Sequence, residues 1–337
     1  MDDANKELEV NFIYRTKGIA YSIERVFDDV RKELGQAVSQ SDFYTPFRNP
    51  GSNPKSFFGN LRAAQKAAVQ GVNHITGDCN YLALGLPKKG LVVTVHDCGH
   101  INVLTGLKRQ IFRWLWFQLP IHRAEAVTFI SEYSRQDLET ALGIKIPNAR
   151  VIPDPVSESF FEVEKPFPTS MPRILFIGTK ANKNLERFVE AINGLDVELR
   201  IVGRLSDDQK NALEKNKIRY SQVADLSHAQ IVAEYQEADI VSLVSTFEGF
   251  GLPIVEGQAT GRPVITSNVC SMPDVAGDAA LLVDPFSVSD MREGIVRLCS
   301  DEELRADLVE KGRINVKRFS AKRVAEQYLD LYRELHP

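Results

Sequence analysis

The stretch that decides the fold runs Ile240-Val-Ser-Leu-Val-Ser-Thr-Phe-Glu-Gly-Phe-Gly-Leu-Pro-Ile-Val-Glu256. Its first residues are mostly apolar without strict alternation, as expected of a strand that is buried on both faces. Two glycines then allow a tight turn, and Pro253 favours the first turn of a helix. A strand, a glycine loop and a helix in this order are typical of a parallel sheet covered by helices, where ligands bind beyond the carboxyl ends of the strands.

The same alternation of short apolar runs and helical patterns fills the rest of the chain. Leu185, Phe188, Val189 and Ile192 have the spacing of one buried helix face. Prolines cluster over 152–172, and they indicate a linker because proline lacks an amide donor. We therefore predict an α/β protein with domains at 1–155 and 156–319 and a helix over 320–337. The predicted strands are Val10–Tyr14, Val72–Thr76, Leu91–Val95, Ala126–Ile130, Arg173–Ile177, Glu198–Val202, Ile240–Val244, Pro263–Thr266 and Ala280–Val283.

Composition excludes several classes of function. The 337 residues are 43% hydrophobic and 26% charged, which is ordinary for a globular protein. A net charge of −4 argues against a dedicated nucleic-acid binder. The four cysteines form no Cys-x-x-Cys pair, so neither a zinc knuckle nor a dithiol redox motif is expected. We find no signal peptide and no apolar run of about 18 residues, and we expect a cytoplasmic protein.

The loop after Val244 suits a nucleotide sugar. The carboxylates of Glu248 and Glu256 would repel phosphate, but they can accept hydrogen bonds from hydroxyl groups. A helix N-terminus between them can bind a diphosphate. On the residues alone, Ser245 and Glu248 could instead form a capping box, and Glu256 could simply stabilise the first helical turn. The amides that would bind the diphosphate belong to Gly249, Phe250, Gly251 and Leu252.

The run from Glu248 to Glu256, a Glu-x7-Glu pattern followed by Gly261-Arg-Pro-Val, resembles the donor site of group 1 (family 4) retaining glycosyltransferases. The run Ser271-Met-Pro-Asp-Val-Ala-Gly-Asp-Ala-Ala-Leu-Leu-Val-Asp-Pro resembles that family too. The resemblance implies the GT-B architecture, in which two Rossmann-like domains face a central cleft and the C-terminal helix packs back on the N-terminal domain. It implies that Glu248 contacts sugar hydroxyls and that Glu256 holds the ribose diol.

A second polar loop, Gly178-Thr-Lys-Ala-Asn-Lys-Asn-Leu185, follows the strand Arg173–Ile177. A lysine there could bind a diphosphate and stabilise it as a leaving group. The loop resembles the family's glycine-threonine loop ending in lysine-asparagine, which implies that Lys183 is the diphosphate lysine and that Thr179 lines the site. Many family members carry arginine where Thr179 stands, so Lys180 is either a second cation or a solvated loop charge.

The N-terminal half, which the resemblance makes the acceptor domain, offers four candidates. His96 ends an apolar strand, and the resemblance implies that it approaches the sugar from across the cleft; Asp97 follows it and could instead cap what comes next. His74 stands in a similar place on another strand, and a structural role is its alternative. Gly18 precedes the first helix, although the family often has a glycine pair there.

The segment Leu107–Ala124 is rich in basic residues and tryptophan and contains no acid. Such a segment can lie on an anionic membrane, here the inner face of the cell membrane, or it can be a packed helix with snorkelling cations. We keep both interpretations.

We therefore expect an enzyme that moves a hexosyl group from a nucleoside diphosphate sugar to the hydroxyl of a glycan or glycolipid acceptor, with retention and without metal or cofactor. Family context suggests cell-surface polysaccharide, O-antigen or lipopolysaccharide assembly. A sugar-nucleotide epimerase of the same architecture and a non-catalytic nucleotide-sugar-binding protein are the alternatives. Neither the sugar, the nucleotide base nor the acceptor can be read from the sequence.

Overall fold

A computed structural model of the chain describes residues 8–18 and 21–336, without the side chains of Tyr21, Ser22, His100 and Asn102. The chain splits into two compact units: Met1–Pro155 with Ala321–Pro337, and Val156–Ser320. Each unit has its own core of buried aliphatic and aromatic side chains.

The first unit is built on a parallel sheet with strand order β2-β1-β3-β4-β5-β6 over its described residues. The strands are β1 Glu9–Tyr14, β2 Ser39–Tyr44, β3 Val72–Ile75, β4 Leu91–Val95, β5 Ala126–Phe129 and β6 Ala149–Val151. The helices that connect them are α1 Tyr21–Leu34, α2 Pro54–Ala67, α3 Gly99–Val103, α4 Gly106–Phe112, α5 Leu119–Arg123 and α6 Glu132–Leu142, with a π-helical turn over Arg113–Gln118.

The second unit repeats this plan with a parallel sheet in the order β12-β11-β10-β7-β8-β9. Its strands are β7 Arg173–Ile177, β8 Glu198–Val202, β9 Tyr220–Val223, β10 Ile240–Leu243, β11 Val264–Ser267 and β12 Leu281–Val283. Its helices are α7 Leu185–Ile192, α8 Asp207–Lys215, α9 His228–Glu237, α10 Leu252–Ala259, α11 Met272–Ala276, α12 Val288–Ser300 and α13 Glu302–Asn315. The predicted apolar face of α7 is confirmed, since all its members are buried.

The last helix, α14 Ala321–Leu335, belongs to the first unit and packs on α1. Val324, Tyr328 and Leu331 are buried along it, as their spacing indicates. The predicted packing of the C-terminal helix on the N-terminal domain is confirmed. Within the described ranges, each helix is too short or too polar to serve as a membrane span.

Every strand predicted from an apolar run is confirmed to within one residue at either end. The prediction missed β2, β6 and β9, which all lie at an edge of their sheets. An edge strand pairs on one side only and is partly exposed, so it needs no apolar run. The alternating α/β architecture predicted from the sequence is confirmed.

Candidate functional site

Loops from three neighbouring strands of the second unit meet at the carboxyl edge of its sheet. The Thr246 amide donates a hydrogen bond of 2.8 Å to the Asn182 carbonyl, and Asn182 Nδ2 donates one of 2.9 Å to the Phe247 carbonyl. Ser267 Oγ donates to the Ser245 carbonyl at 2.7 Å. These bonds join the segments that follow β7, β10 and β11, which are remote in sequence but adjacent in the sheet.

Lys183 and Glu248 form an ion pair at this edge. The distance from Lys183 Nζ to Glu248 Oε1 is 2.6 Å, and both side chains are largely buried. The same oxygen accepts from Ser245 Oγ at 2.7 Å and from Asn182 Nδ2 at 3.5 Å. All three of these hydrogen bonds reach Oε1 of Glu248. A carboxylate also has lone pairs on its second oxygen, here Oε2, that can accept a hydrogen bond from a bound hydroxyl.

The backbone around Lys183 sets where its side chain lies. Gly178 has a φ of +88°, and a Cβ there would lie 3.0 Å from Lys183 Cε. The lysine stem therefore crosses the bare face of the glycine. Asn184, with a φ of +67°, donates from Nδ2 to the carbonyls of Val244 at 3.1 Å and Pro285 at 2.7 Å. The bare face of Gly178 and the hydrogen bonds of Asn184 together hold the Lys183 ammonium group at the end of the sheet.

The glycine loop enters helix α10 as the sequence indicates. Gly251 caps the helix with a φ of +106°, and the helix begins at Leu252, one residue before the predicted start. Ser271 Oγ lies 3.0 Å from the Glu248 carbonyl and 2.8 Å from the Phe250 carbonyl, which holds the loop from below. The start of α10, where backbone amides favour anions, therefore lies four residues after Glu248, the carboxylate that pairs with Lys183.

Glu256 and Thr179, the other two predicted donor residues, both have hydrogen-bond partners within the second unit. Glu256 is buried in α10, and its Oε2 accepts a hydrogen bond from the Tyr235 hydroxyl. Thr179 Oγ1 donates to the Arg204 carbonyl at 2.6 Å, while the Thr179 carbonyl accepts from Gln209 Nε2 at 2.9 Å. Sequence reasoning missed Tyr235 and Gln209, because their contacts join segments that no motif spacing relates.

The first unit places His96 directly after β4, in a seat made by the loop after β3. His96 Nε2 lies 2.8 Å from the carbonyl oxygen of Thr76. Gly77, with a φ of +143°, lies so close that a Cβ there would be 2.5 Å from the imidazole Cδ2. On the other side of the ring, Nδ1 is 3.9 Å from Oδ2 of Asp154, a buried carboxylate that sequence reasoning missed.

His74 has a structural role, which corrects the prediction that it lies on the acceptor side. Its ring is fully buried, with Nδ1 2.6 Å from the Tyr332 hydroxyl and Nε2 2.7 Å from Thr94 Oγ1. Burial lowers the pKa of His74 to about 3, and the charge of His96 acts in the same direction. A neutral ring that uses both nitrogens inside the core ties α14 to the sheet and cannot contact a substrate.

Asp97 and Gly18 lie at the surface and take part in local bonds. Asp97 Oδ1 accepts from the Gly99 amide at 2.9 Å, which is the capping role that the sequence left open. The Gly18 amide donates to Glu24 Oε1 at 3.2 Å. Residues 19–20 of the loop that Gly18 begins lie outside the described residues.

The basic segment Leu107–Ala124 has both packed and exposed side chains. Arg113 donates to the Leu142 carbonyl at 2.6 Å, and Arg123 donates to the carbonyls of Ala83 and Leu86, so these two cations are structural. Trp116 is buried, but Leu107, Ile111 and Trp114 are exposed.

Comparisons with known proteins agree with this architecture. Residues 158–315 match the model of the group 1 glycosyl transferases, and residues 20–160 match the glycosyltransferase family 4 model. An uncharacterized glycosyltransferase of Methanocaldococcus jannaschii is 24% identical over 72% of this chain and 68% of its own length. The O-antigen chain mannosyltransferase B of Escherichia coli is 31% identical over 48% of this chain, and the match spans only 45% of that relative.

Solved structures extend the likeness in fold to nearly the whole chain. The Anabaena protein HepE, solved with UDP and glucose, has a TM-score of 0.78 at 15% identity, covering 97% of this chain and all of that one (100%). Together the two family models span both units, and the parallel sheets are those of the GT-B fold. The chain therefore belongs to the group 1 (family 4) glycosyltransferases and is a glycosyltransferase of the GT-B fold.

Proposed function

We propose that the protein transfers a sugar from a nucleoside diphosphate sugar to an acceptor hydroxyl with retention of configuration and without a metal. The observation that carries this proposal is the 2.6 Å pair between Lys183 Nζ and Glu248 Oε1 beside the start of α10. A cation and a helix N-terminus suit the diphosphate, and an adjacent carboxylate suits the hydroxyls of the sugar.

Each part of the donor then has its own contact. Lys183 and the amides of residues 249–252 bind the diphosphate and stabilise the negative charge that builds up as it leaves. Glu248 accepts hydrogen bonds from sugar hydroxyls through Oε2. Glu256 is proposed to hold the ribose diol, with the Tyr235 hydroxyl fixing its carboxylate. Thr179 lines the same edge, and contact of His96 with the sugar stays a prediction from the family resemblance.

The proposed reaction proceeds on one face of the sugar. The bond between the anomeric carbon and the diphosphate oxygen breaks, and the acceptor oxygen bonds to the same carbon from the same side. The departing phosphate oxygen takes the acceptor proton, so no protein nucleophile is required. The names of the relatives favour a glycan or glycolipid acceptor in cell-surface polysaccharide or O-antigen assembly, since the Escherichia coli relative is an O-antigen mannosyltransferase.

Incubation with a panel of nucleoside diphosphate sugars, with and without glycan or glycolipid acceptors, tests the reaction. We expect nucleoside diphosphate release that depends on the acceptor, an α-anomeric product from an α-linked donor, and unchanged turnover in EDTA. Interconversion of sugar nucleotides without an acceptor would indicate an epimerase. Donor binding with no release under any acceptor would indicate a non-catalytic binding protein.

We further propose peripheral contact with an anionic membrane through the α4 strip, which consists of Leu107, Ile111 and Trp114. Their spacing places them on one face of a helical segment, and Leu107 is 75% and Trp114 51% exposed. Lys108 and Arg109 beside them are exposed and form no ion pair with any residue that the structure describes. Exposed tryptophan and leucine next to unpaired cations suit the interface of a bilayer with anionic lipids.

Sedimentation with vesicles tests this contact. Wild-type protein should sediment with phosphatidylcholine vesicles that contain phosphatidylglycerol, less with pure phosphatidylcholine, and less at high salt. Leu107→Gln with Trp114→Gln should abolish sedimentation, whereas Ile314→Gln, at a residue that is 62% exposed on α13, should not. Equal binding by both variants, no binding by the wild type, or a dimer that the double variant dissociates would contradict membrane contact.

A further inference from the structure

Asp154 is a buried carboxylate that the proposed reaction does not use. It follows β6 on a segment that the Ile152 amide anchors to the Phe129 carbonyl at 2.9 Å. Only 6% of its surface is exposed. Burial raises the pKa of Asp154, while the charges of His96 and Arg25 act in the opposite direction. A buried charge is costly unless another charge compensates it, so its retention here needs a reason.

The nearest titratable ring is that of His96. Because a carbonyl oxygen only accepts hydrogen bonds, the contact with Thr76 requires the proton on Nε2 of His96. Nδ1 then points toward Asp154, 3.9 Å from its Oδ2. A second proton on Nδ1 would therefore face a carboxylate at close range, inside the protein, where charges interact strongly.

The residues around the His96 imidazole leave it little room to take another position. Gly77 leaves no room for a side chain beneath the imidazole, and the Phe27 ring lies edge-on to it with centroids 6.5 Å apart. Thr76, Phe27 and Asp154 thus surround the ring from three separate segments of the first unit. Of these, Asp154 is the one that can distinguish the neutral ring from the charged ring.

We propose that Asp154 is a positioning residue for His96, facing the Nδ1 edge of the imidazole and so keeping Nε2 against Thr76. This rests on the proposed function, in which His96 contacts the transferred sugar. Arg25 and Tyr328 also interact electrostatically with Asp154, but the proposed effect of Asp154 on turnover passes through His96.

A double-mutant cycle tests this dependence. Asp154→Asn should lower kcat by about 10- to 100-fold, because small misplacements of a group at the reacting centre weaken catalysis, with the donor KM changed less than about threefold. In a His96→Ala background, the same substitution should leave kcat unchanged. Glu139→Gln alters another buried carboxylate of this unit, which bonds Lys145 and the Ile146 amide, and should lower the Tm without lowering kcat. An equal loss of kcat in both backgrounds would overturn the proposal.

An NMR measurement on the His96 ring separates failure of this inference from failure of the proposed function. In ¹⁵N-histidine-labelled wild-type protein, the Nε2 proton of His96 should exchange slowly because it is bonded to Thr76. Asp154→Asn should speed its exchange or abolish its signal, and Glu139→Gln should not. If His96→Ala retains wild-type kcat, the role of His96 fails, and an unchanged Nε2 signal in Asp154→Asn would overturn the positioning role as well.

Discussion

The carboxyl edges of the two sheets each hold an ionisable side chain near a carboxylate, but in different ways. In the second unit, Lys183 and Glu248 bond each other at 2.6 Å, and hydrogen bonds join the loops that carry them. In the first unit, His96 meets its carboxylate only at 3.9 Å and is held by backbone and packing. The first arrangement is a direct ion pair, whereas in the second the carboxylate lies beyond hydrogen-bond distance of the ring.

At both edges the side chain that we propose to act there lies against a glycine with a positive φ. Gly178 lies under Lys183, and Gly77 lies under His96. At both places a Cβ would meet the side chain that has to be positioned. The comparison teaches that the placement of Lys183 and His96 depends on the shape of the backbone as much as on the charged groups around them.

The largest effect should come from removing the cation of the second unit. Lys183→Ala should lower kcat by about 10²- to 10³-fold, because the charge that stabilises the leaving diphosphate is lost. Steady-state turnover with the best donor and acceptor measures this loss. Lys215→Ala, which removes an exposed lysine of α8, is the matched control and should retain full activity. Equal rates for the two variants would remove Lys183 from the site.

A smaller effect should separate the role of the Gly178 backbone, which positions Lys183, from the role of the lysine charge. Gly178→Ala and Gly194→Ala both place a side chain at positive φ, +88° and +75°, and both should lose stability by about 1 kcal/mol. Only the first pushes on Lys183, because nothing lies within 4 Å of a Cβ at Gly194. We expect about a tenfold loss of kcat for Gly178→Ala alone, since small misplacements weaken catalysis. Unchanged turnover in both variants would show that Gly178 does not position Lys183 for catalysis.

The last effect concerns His74 and is one of stability, not of turnover. Its pKa is about 3 in the folded protein against 6.5 ordinarily, so the unfolded chain binds more protons between these values. The free energy of unfolding should therefore fall as the pH drops below about 6.5, by up to about 1.4 kcal/mol per pH unit from this group. Urea titrations at pH 7 and 5 should show a weaker pH dependence for His74→Gln. The same dependence in both proteins would contradict the buried, neutral ring.

The sequence predicted the central strands, and it predicted that the loop from Glu248 to Glu256 connects a strand to a helix, because both features follow from local patterns. A strand buried on two faces must be apolar, and the loop from Glu248 to Glu256 carries its glutamates, glycines and proline at fixed spacing. The edge strand Ser39–Tyr44 has one free side and polar residues, so no such pattern marks it.

Contacts between distant segments set the remaining features, and these could not be predicted. His74 and His96 both stand near the ends of apolar strands, yet one is locked to Tyr332, 258 residues away, and the other faces Asp154. Ser271, which follows the loop in the chain, bonds the Glu248 carbonyl. Tyr235, which precedes the loop, bonds the carboxylate of Glu256. No spacing rule connects such residues, because the topology of the sheet brings them together.

The division of labour between Lys183 and Glu248 is the central claim, and calorimetric titration tests it most directly. Wild-type protein should bind at least one nucleoside diphosphate sugar from a panel and the matching nucleoside diphosphate. Lys183→Ala should weaken binding of both ligands, whereas Glu248→Gln should weaken binding of the sugar nucleotide and leave that of the nucleoside diphosphate unchanged. Failure of every sugar nucleotide to bind the wild type, or wild-type affinities in both variants, would contradict it.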